Sequence, residues 1–459
     1  MRILGFPAPR SAIWRETLRL AWPATLSLFL HSLYRVNDQF WIRELGSPAQ
    51  AAMGAAIFLG IFNFTFITTA QSGGLARIAH YTGAKNNPGR QQVYSTLLPL
   101  CVVCFSIIGF LEYENLDFFV SLLGVEGEVA ELSKAYIRPF FLCLPAMMIK
   151  PVMDGVLIGM GNTFVPMVLG GLSLLLNFVL NPLLIFGWGP VPAMGIAGAA
   201  WATLAARGIA GLAEMIYLYK KTGMLPFSLP DFRFTEARAM LKIGWPIGLN
   251  TAIYALTFIW VVRMSVAPFG EPVLAGMGIA FNGLEAISYC ALMGPATACA
   301  SMVGRRLGAG EGELALQSVS ASLTFSIGIA CFATLAFALI PKTLLGIYSA
   351  DPAVLAEGAL YLMIVAWTQT ATAAEAVLEQ ALAGAGRTLW MALVVSFGLL
   401  LRIPLCWWLA HYLGWGPVGI WWGFNLSNWI KLVAIFFVFR AIQLADIRPA
   451  TVTRTHGTD

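Results

Sequence analysis

The chain has 459 residues, of which 58% are hydrophobic and only 11% charged. A soluble domain carries about 25% charged residues, so the composition excludes a soluble globular protein and describes a polytopic membrane protein with apolar surface turned to lipid. The net charge of +5 sits in short loops, which argues against nucleic acid as a partner.

Apolar runs predict twelve spans, at about 14–42, 49–75, 91–112, 133–158, 163–186 and 194–219, then 237–265, 273–302, 314–341, 356–383, 388–412 and 415–441. The sixteen residues that open the chain have no apolar core of their own, so the first span is expected to act as its insertion signal. Lys and Arg fall on one side: Arg2, Arg10 and Arg15, then Arg77, Lys85 and Arg90, Lys220 and Lys221, Arg305 and Arg306, and the tail arginines Arg440, Arg448 and Arg454. The opposite side carries Glu112, Glu114, Asp117, Glu126, Glu128 and Glu131. This pattern places both termini in the cytoplasm and the protein in the inner (plasma) membrane.

The first span has no Asp, Glu, Lys or Arg between Arg19 and Arg35 and carries Asp38 near its far end. An ionised Asp inside a membrane helix costs roughly 2.5–3.5 kcal/mol on insertion scales and usually faces a cavity or a partner. Burial penalises the charged form of a carboxyl, which makes Asp38 a candidate for taking up and releasing a proton. The simpler alternative is a pair with Arg35 near the membrane surface. Pro23 removes a backbone hydrogen bond and invites a bend in the same span. His31, seven residues before Asp38, is read either as a packed, hydrogen-bonded side chain or as a proton relay.

Residues 220–236 form a polar break that divides the chain into an N-lobe (1–219) and a C-lobe (237–445), with a cytoplasmic tail over 446–459. The halves repeat. LRLAWP at Leu18–Pro23 returns as LKIGWP at Leu241–Pro246, and TGAK at Thr82–Lys85 as LGAG at Leu307–Gly310. GNT at Gly161–Thr163 returns as GRT at Gly386–Thr388, and MGI at Met194–Ile196 as VGI at Val418–Ile420. The offsets stay within 223–225. Six spans per half return the chain to its starting side, so the repeats are parallel, as in transporters that rock around a central cavity. Gly83, Gly308 and Gly310 are expected to end helices at the cytoplasmic face.

Further residues converge on a known pattern: Pro23, Tyr34 and Asp38 in the first span, LNFVLNPLLIFGWG from Leu176 to Gly189, and GIAGAAWAT from Gly195 to Thr203. VGRRLGAG from Val303 to Gly310 and ALAGAGRT from Ala381 to Thr388 supply the second half. Over nearly its whole length the sequence resembles the multidrug and toxic compound extrusion (MATE) family. The resemblance implies an all-α fold of twelve transmembrane helices in two six-helix pseudo-symmetric lobes. It also implies a transporter, not an enzyme, that needs no cofactor beyond H⁺ or Na⁺ as coupling ion. Such a protein exports organic, cationic or amphiphilic small molecules from the bilayer and works as a monomer. In the family, the coupling-ion site of the N-lobe falls on Asp38, with Tyr34, Asn177 and Asn181 beside it and a bend at Pro23. The same Asp38, Asn177 and Asn181 are the candidates for Na⁺. Members of the DinF-like branch often carry a second Asp where this chain has Asn181. NorM-like members carry an acidic residue where the GWP alignment places Tyr254. These departures put the chain closer to the DinF-like branch, working through its N-lobe.

Other charges lie at membrane depth. Lys150 and Asp154 are four residues apart and suited to pairing, and Arg207 and Glu214 form a candidate pair across two turns. Glu375 and Glu379, their counterparts in the C-lobe, cannot neutralise each other. With Glu285, Tyr254 and Trp367 they form the candidate substrate cavity, in which a cation would lie between carboxylates and aromatic rings. Arg402 takes the place of Asn177 at the repeat offset, and together with Arg35, Arg207 and Arg263 leaves open an anionic substrate. A lipid or lipid-linked oligosaccharide flippase with similar lobes is the alternative function. No Ser/His/Asp set, metal-ligand cluster or phosphate-cradling loop marks an enzyme.

Overall fold

A computed structural model describes residues 6–442, without the side chains of residues 57–59 and 61. The tail over 446–459, with Arg448 and Arg454, lies outside the described residues. Among these residues the fold is helical throughout, apart from one isolated bridge between Trp188 and Val191. The N-lobe spans are α1 (Ser11–Ile42), α2 (Ser47–Gly83), α3 (Asn87–Glu114), α4 (Gly127–Leu142 continued by Leu144–Gly159), α5 (Phe164–Phe186) and α6 (Ile196–Thr222). The C-lobe spans are α7 (Phe234–Phe269), α8 (Glu271–Gly308), α9 (Gly312–Leu339), α10 (Pro352–Gly384), α11 (Thr388–Tyr412) and α12 (Pro417–Ala441). Nine of these are long and apolar enough by themselves to cross a membrane, and α4 is a further one if its bent halves count as one span.

The halves of α4 meet at 61°. Pro145 explains the break: it opens the second half and has no N–H to continue the hydrogen-bond ladder of the first. The repeat extends to these irregularities. The short helix Leu116–Ser121 that follows α3 returns as Pro341–Leu345 after α9. The break at Cys143 in α4 corresponds to the 3₁₀ turn Ala366–Thr368 in α10. By contrast, α1 runs as an unbroken α-helix through Pro23.

Packing obeys the same two-fold relation. Within the N-lobe α1 lies on α5, α5 on α6, α2 on α4 and α4 on α6; in the C-lobe α7 lies on α11, α11 on α12, α8 on α10 and α10 on α12. Between the lobes α2 packs on α7 and α1 on α8, contacts that the two-fold exchanges, while α2 meets α8 across the axis. The α8 stretch Ala296, Ala298, Cys299, Ala300 and Ser301 is fully buried. Side chains this small let four neighbouring helices approach a single rod, the usual solution where lipid gives no hydrophobic drive between helices.

The lobes are joined over the half that carries the basic loops. Arg77 on α2 donates to Glu236 on α7 at 2.7 Å, and Tyr81 donates to the same carboxylate at 2.7 Å. Glu16 on α1 holds Arg305 at 3.0 Å and Arg306 at 2.7 Å, both on α8. Each pair joins the start of a lobe's first helix to the end of the other lobe's second, so the two latches are related by the repeat. Gly83 and Gly308 do more than end their helices. A Cβ on Gly83 would strike the Arg305 carbonyl, and one on Gly308 the His80 carbonyl, both in the opposite lobe. Towards mid-depth, Thr68 reaches Thr251 at 3.4 Å and Ser32 reaches Cys290 at 3.9 Å. The ion pairs between the lobes thus gather at the basic end.

Candidate functional site

Tyr34, Asn37 and Asp38 fall at i, i+3 and i+4 of α1, and Ser173, Asn177 and Asn181 at i, i+4 and i+8 of α5. Both sets therefore form one-sided polar stripes. The stripes face each other, with α6 closing the third side, and all six side chains are buried. Asn181 Nδ2 donates to Asp38 Oδ1 at 2.8 Å, and Thr203 Oγ1 on α6 donates to Asp38 Oδ2 at 3.1 Å. Asn177 Nδ2 donates to Thr203 Oγ1 at 3.1 Å, and Asn37 Nδ2 donates to Asn177 Oδ1 at 2.7 Å. Tyr34 and Ser173 are hydrogen-bonded through their hydroxyls. The hydrogens in this chain run one way, towards a carboxylate that accepts at both oxygens. The amide oxygens of Asn37 and Asn181 are buried without a hydrogen-bond partner among the described residues.

Asp38, Asn177, Asn181 and Tyr34 are thus brought to one place, while Pro23 lies more than three turns away along α1. Sequence reasoning missed Asn37, Ser173 and Thr203. The first adjoins Asp38, the second continues the four-residue stripe of α5, and the third is the last residue of GIAGAAWAT, so each left a signal in the pattern. Arg35 is exposed and makes no ion pair with Asp38. His31 is also exposed and has no hydrogen-bond partner among the described residues, which removes the packed, hydrogen-bonded reading.

A second cluster lies deeper in the N-lobe. Lys150 binds Asp154 at 2.8 Å, as expected, and also Glu214 at 3.1 Å. The expected Arg207–Glu214 pair is absent: Lys150 of α4 takes one oxygen of that carboxylate, and the other is buried without a hydrogen-bond partner among the described residues. Arg207 instead lies over the Tyr34 ring, 4.9 Å from its centroid.

The C-lobe candidates divide into four groups. Glu375 is held by Lys431 of α12 at 2.7 Å, with Glu379 alongside, so the paired like charges have a cation that the sequence reading overlooked. Lys431 lies 224 residues after Arg207, the offset that relates Met194 to Val418. Glu285 accepts a 2.5 Å hydrogen bond from Tyr361. Tyr254 stacks on Phe258, which stacks on Phe281. Trp367 is 62% exposed and has no ring contact or hydrogen bond with the other four. Arg402, at the midpoint of α11, is buried and donates to Ser427 at 3.0 Å and Asn428 at 2.6 Å.

Two helical lobes, each with a buried polar centre at mid-span and a cleft between them, define a two-lobed membrane transporter. The MatE family model matches residues 23–183 and again 246–408, one match per lobe and well over half the chain. The chain is 25% identical over 420 residues to a protein named probable multidrug resistance protein NorM from Thermotoga maritima, covering 90% of this chain and 89% of that one. It is 25% identical over 354 residues to a FAD transporter from Shewanella oneidensis, covering 77% and 78%. The fold matches the crystal structure of the Vibrio cholerae MATE transporter VcmN in the bent form at a TM-score of 0.87 and 19% identity, over 94% of this chain and 97% of that one. The chain belongs to the MATE family of multidrug-efflux transporters, the family its sequence pattern resembles.

Proposed function

We propose that this protein is an ion-coupled antiporter that exports organic amphiphiles, cations among them, by alternating access, and that the coupling ion loads at Asp38. The observation that carries the proposal is the one-way hydrogen-bond chain ending on Asp38. It ties α1 to α5 and α6 through a single carboxylate. A proton arriving on that carboxylate converts an acceptor into a donor, and a donor needs a new partner. A half-turn of the Asn181 amide would present its unpartnered oxygen to the new O–H. Loading would thereby change the contacts between α1 and the rest of the N-lobe, and an ion shifts a conformational equilibrium only through such a difference between states. Sodium at Asp38, Asn177 and Asn181 requires amide oxygens turned towards the carboxylate. Sodium would need the same half-turn of Asn181 and, in addition, the Asn177 oxygen released from Asn37, one rearrangement more than H⁺, which favours H⁺.

The same reading places the protein in the inner membrane with both termini cytoplasmic. The basic end, where the latches join the lobes, then faces the cytoplasm, and the lobes divide at residues 220–236 of a functional monomer. Ethidium efflux from proteoliposomes under separately imposed pH and Na⁺ gradients tests it. Efflux driven by the pH gradient supports the reading; efflux indifferent to both gradients overturns it.

A further inference from the structure

The buried cations of the spans are not treated alike. Lys150 and Lys431 each have a carboxylate within about 3 Å, at 2.8 Å and 2.7 Å. Arg207, over the Tyr34 ring, and Arg402 have none within 4.0 Å among the described residues, and of the two it is Arg402 that is buried. Its contacts are the hydroxyl of Ser427, the amide oxygen of Asn428 and the face of Phe424, 4.8 Å from the ring centroid. These use two of the five N–H donors that a guanidinium offers. An unpaired charge at the middle of a membrane helix is costly and marks a functional site by default.

The surroundings are built to hold the guanidinium in place. Asn428, which accepts from Arg402, donates in turn to Thr368 of α10 at 2.9 Å. Ser427 passes its own hydrogen to the Phe424 carbonyl at 2.9 Å. The group is thus braced from α10 and α12, and Tyr254 of α7, Glu285 of α8 and Tyr361 of α10 are its electrostatic neighbours. Glu285 does not reach it, being occupied by Tyr361. A fixed cation and a fixed carboxylate thus stand apart with Tyr254 as a neighbour of both, and Tyr254 begins the ring stack that runs through Phe258 to Phe281.

We infer that Arg402 is a binding site for the carboxylate of a substrate, and that the C-lobe takes zwitterionic aromatic compounds with their acid on Arg402 and their cationic part towards Glu285 and the stacked rings. A planar guanidinium with free donors matches a carboxylate in shape and charge. The inference rests on the export reading for its biological sense, but its test does not depend on transport.

Rhodamine 110 and rhodamine 123 share one xanthylium cation and differ in that the second is the methyl ester of the first. Their equilibrium binding to the purified full chain, read by fluorescence anisotropy, gives an acid-to-ester affinity ratio. The expected ratio is about 10 or more for the parent, near 1 for Arg402→Gln, and intermediate for Arg402→Lys, which keeps the charge without the fork. A purely structural arginine would weaken both dyes together and leave the ratio untouched. A parent ratio near 1, binding of neither dye, or a ratio retained in Arg402→Gln overturns the inference. Ethidium efflux by the parent, measured separately, reports whether the transport reading itself holds.

Discussion

Asn177 on α5 and Arg402 on α11 occupy equivalent positions in the two lobes, 225 residues apart, and are chemical opposites. Asn177 both accepts and donates, passing hydrogen bonds on towards Asp38, whereas Arg402 can only donate. Duplicated lobes with one architecture therefore carry, at this one position, a relay amide in the N-lobe and a fixed cation in the C-lobe.

The N-lobe centre depends on Thr203. Thr203→Val keeps the shape and removes the hydroxyl that donates to Asp38 and accepts from Asn177. A hydrogen bond to a charged group contributes about 1.5–3 kcal/mol. Proton-driven ethidium efflux should fall on the order of 10-fold or more, with Thr203→Ser recovering most of it. Unaltered efflux in Thr203→Val would remove α6 from the coupling site.

The latches on the basic side set the balance between the two orientations of the cleft. Arg77→Ala with Glu16→Ala removes the lobe-to-lobe ion pairs to Glu236, Arg305 and Arg306 while leaving the glycine contacts intact. Loss of charge-assisted bonds of about 1.5–3 kcal/mol is enough to populate the opposite orientation. Spin labels at Lys85→Cys and Glu311→Cys, on the ends of opposite lobes, should show a longer distance population in this variant. A distribution identical to that of the parent would mean that packing alone holds the face closed.

Close approach at that face needs glycine. Gly308 has an ordinary helical backbone, but a Cβ there would meet the carbonyl carbon of His80 at 2.7 Å, nearer than real Cβ contacts come. Gly308→Val should reduce export strongly while the protein still inserts, and should shift the spin-label distance as the latch variant does. Normal export with an unchanged distance would show that the lobes need not meet there.

Lys431 neutralises a pair of acids. Lys431→Met leaves Glu375 and Glu379 buried together without a cation, a change that typically costs about 3–5 kcal/mol. A lowered Tm is expected, with partial recovery in Lys431→Met/Glu375→Gln. Equal Tm for the single and double variants would show that the charges are not coupled.

The twelve spans, the repeat and Asp38 were readable in the sequence; Asn177 and Asn181 joined Asp38 through the family resemblance, since helical spacing puts those two on one face of α5 without saying which helix that face meets. The sequence failed where a neighbouring helix decides the outcome. Spacing along α6 permits Arg207 to reach Glu214, but Lys150 arrives from α4 and takes that carboxylate. Glu375 and Glu379 look unneutralised along α10, yet their cation comes from α12. Thr203 could not be singled out from other small residues of a glycine- and alanine-rich helix, since its role depends on how α6 faces α1.

The central claim is that Asp38 carries the ion that drives export. The most direct measurement is proton movement itself, followed with a pH-sensitive dye sealed in proteoliposomes preloaded with an inward-acid gradient and challenged with ethidium. The parent should release protons when ethidium is added, and Asp38→Asn, with an unchanged Tm, should release none. Substrate-evoked proton release by Asp38→Asn equal to that of the parent would contradict the claim and move the coupling site elsewhere in the chain.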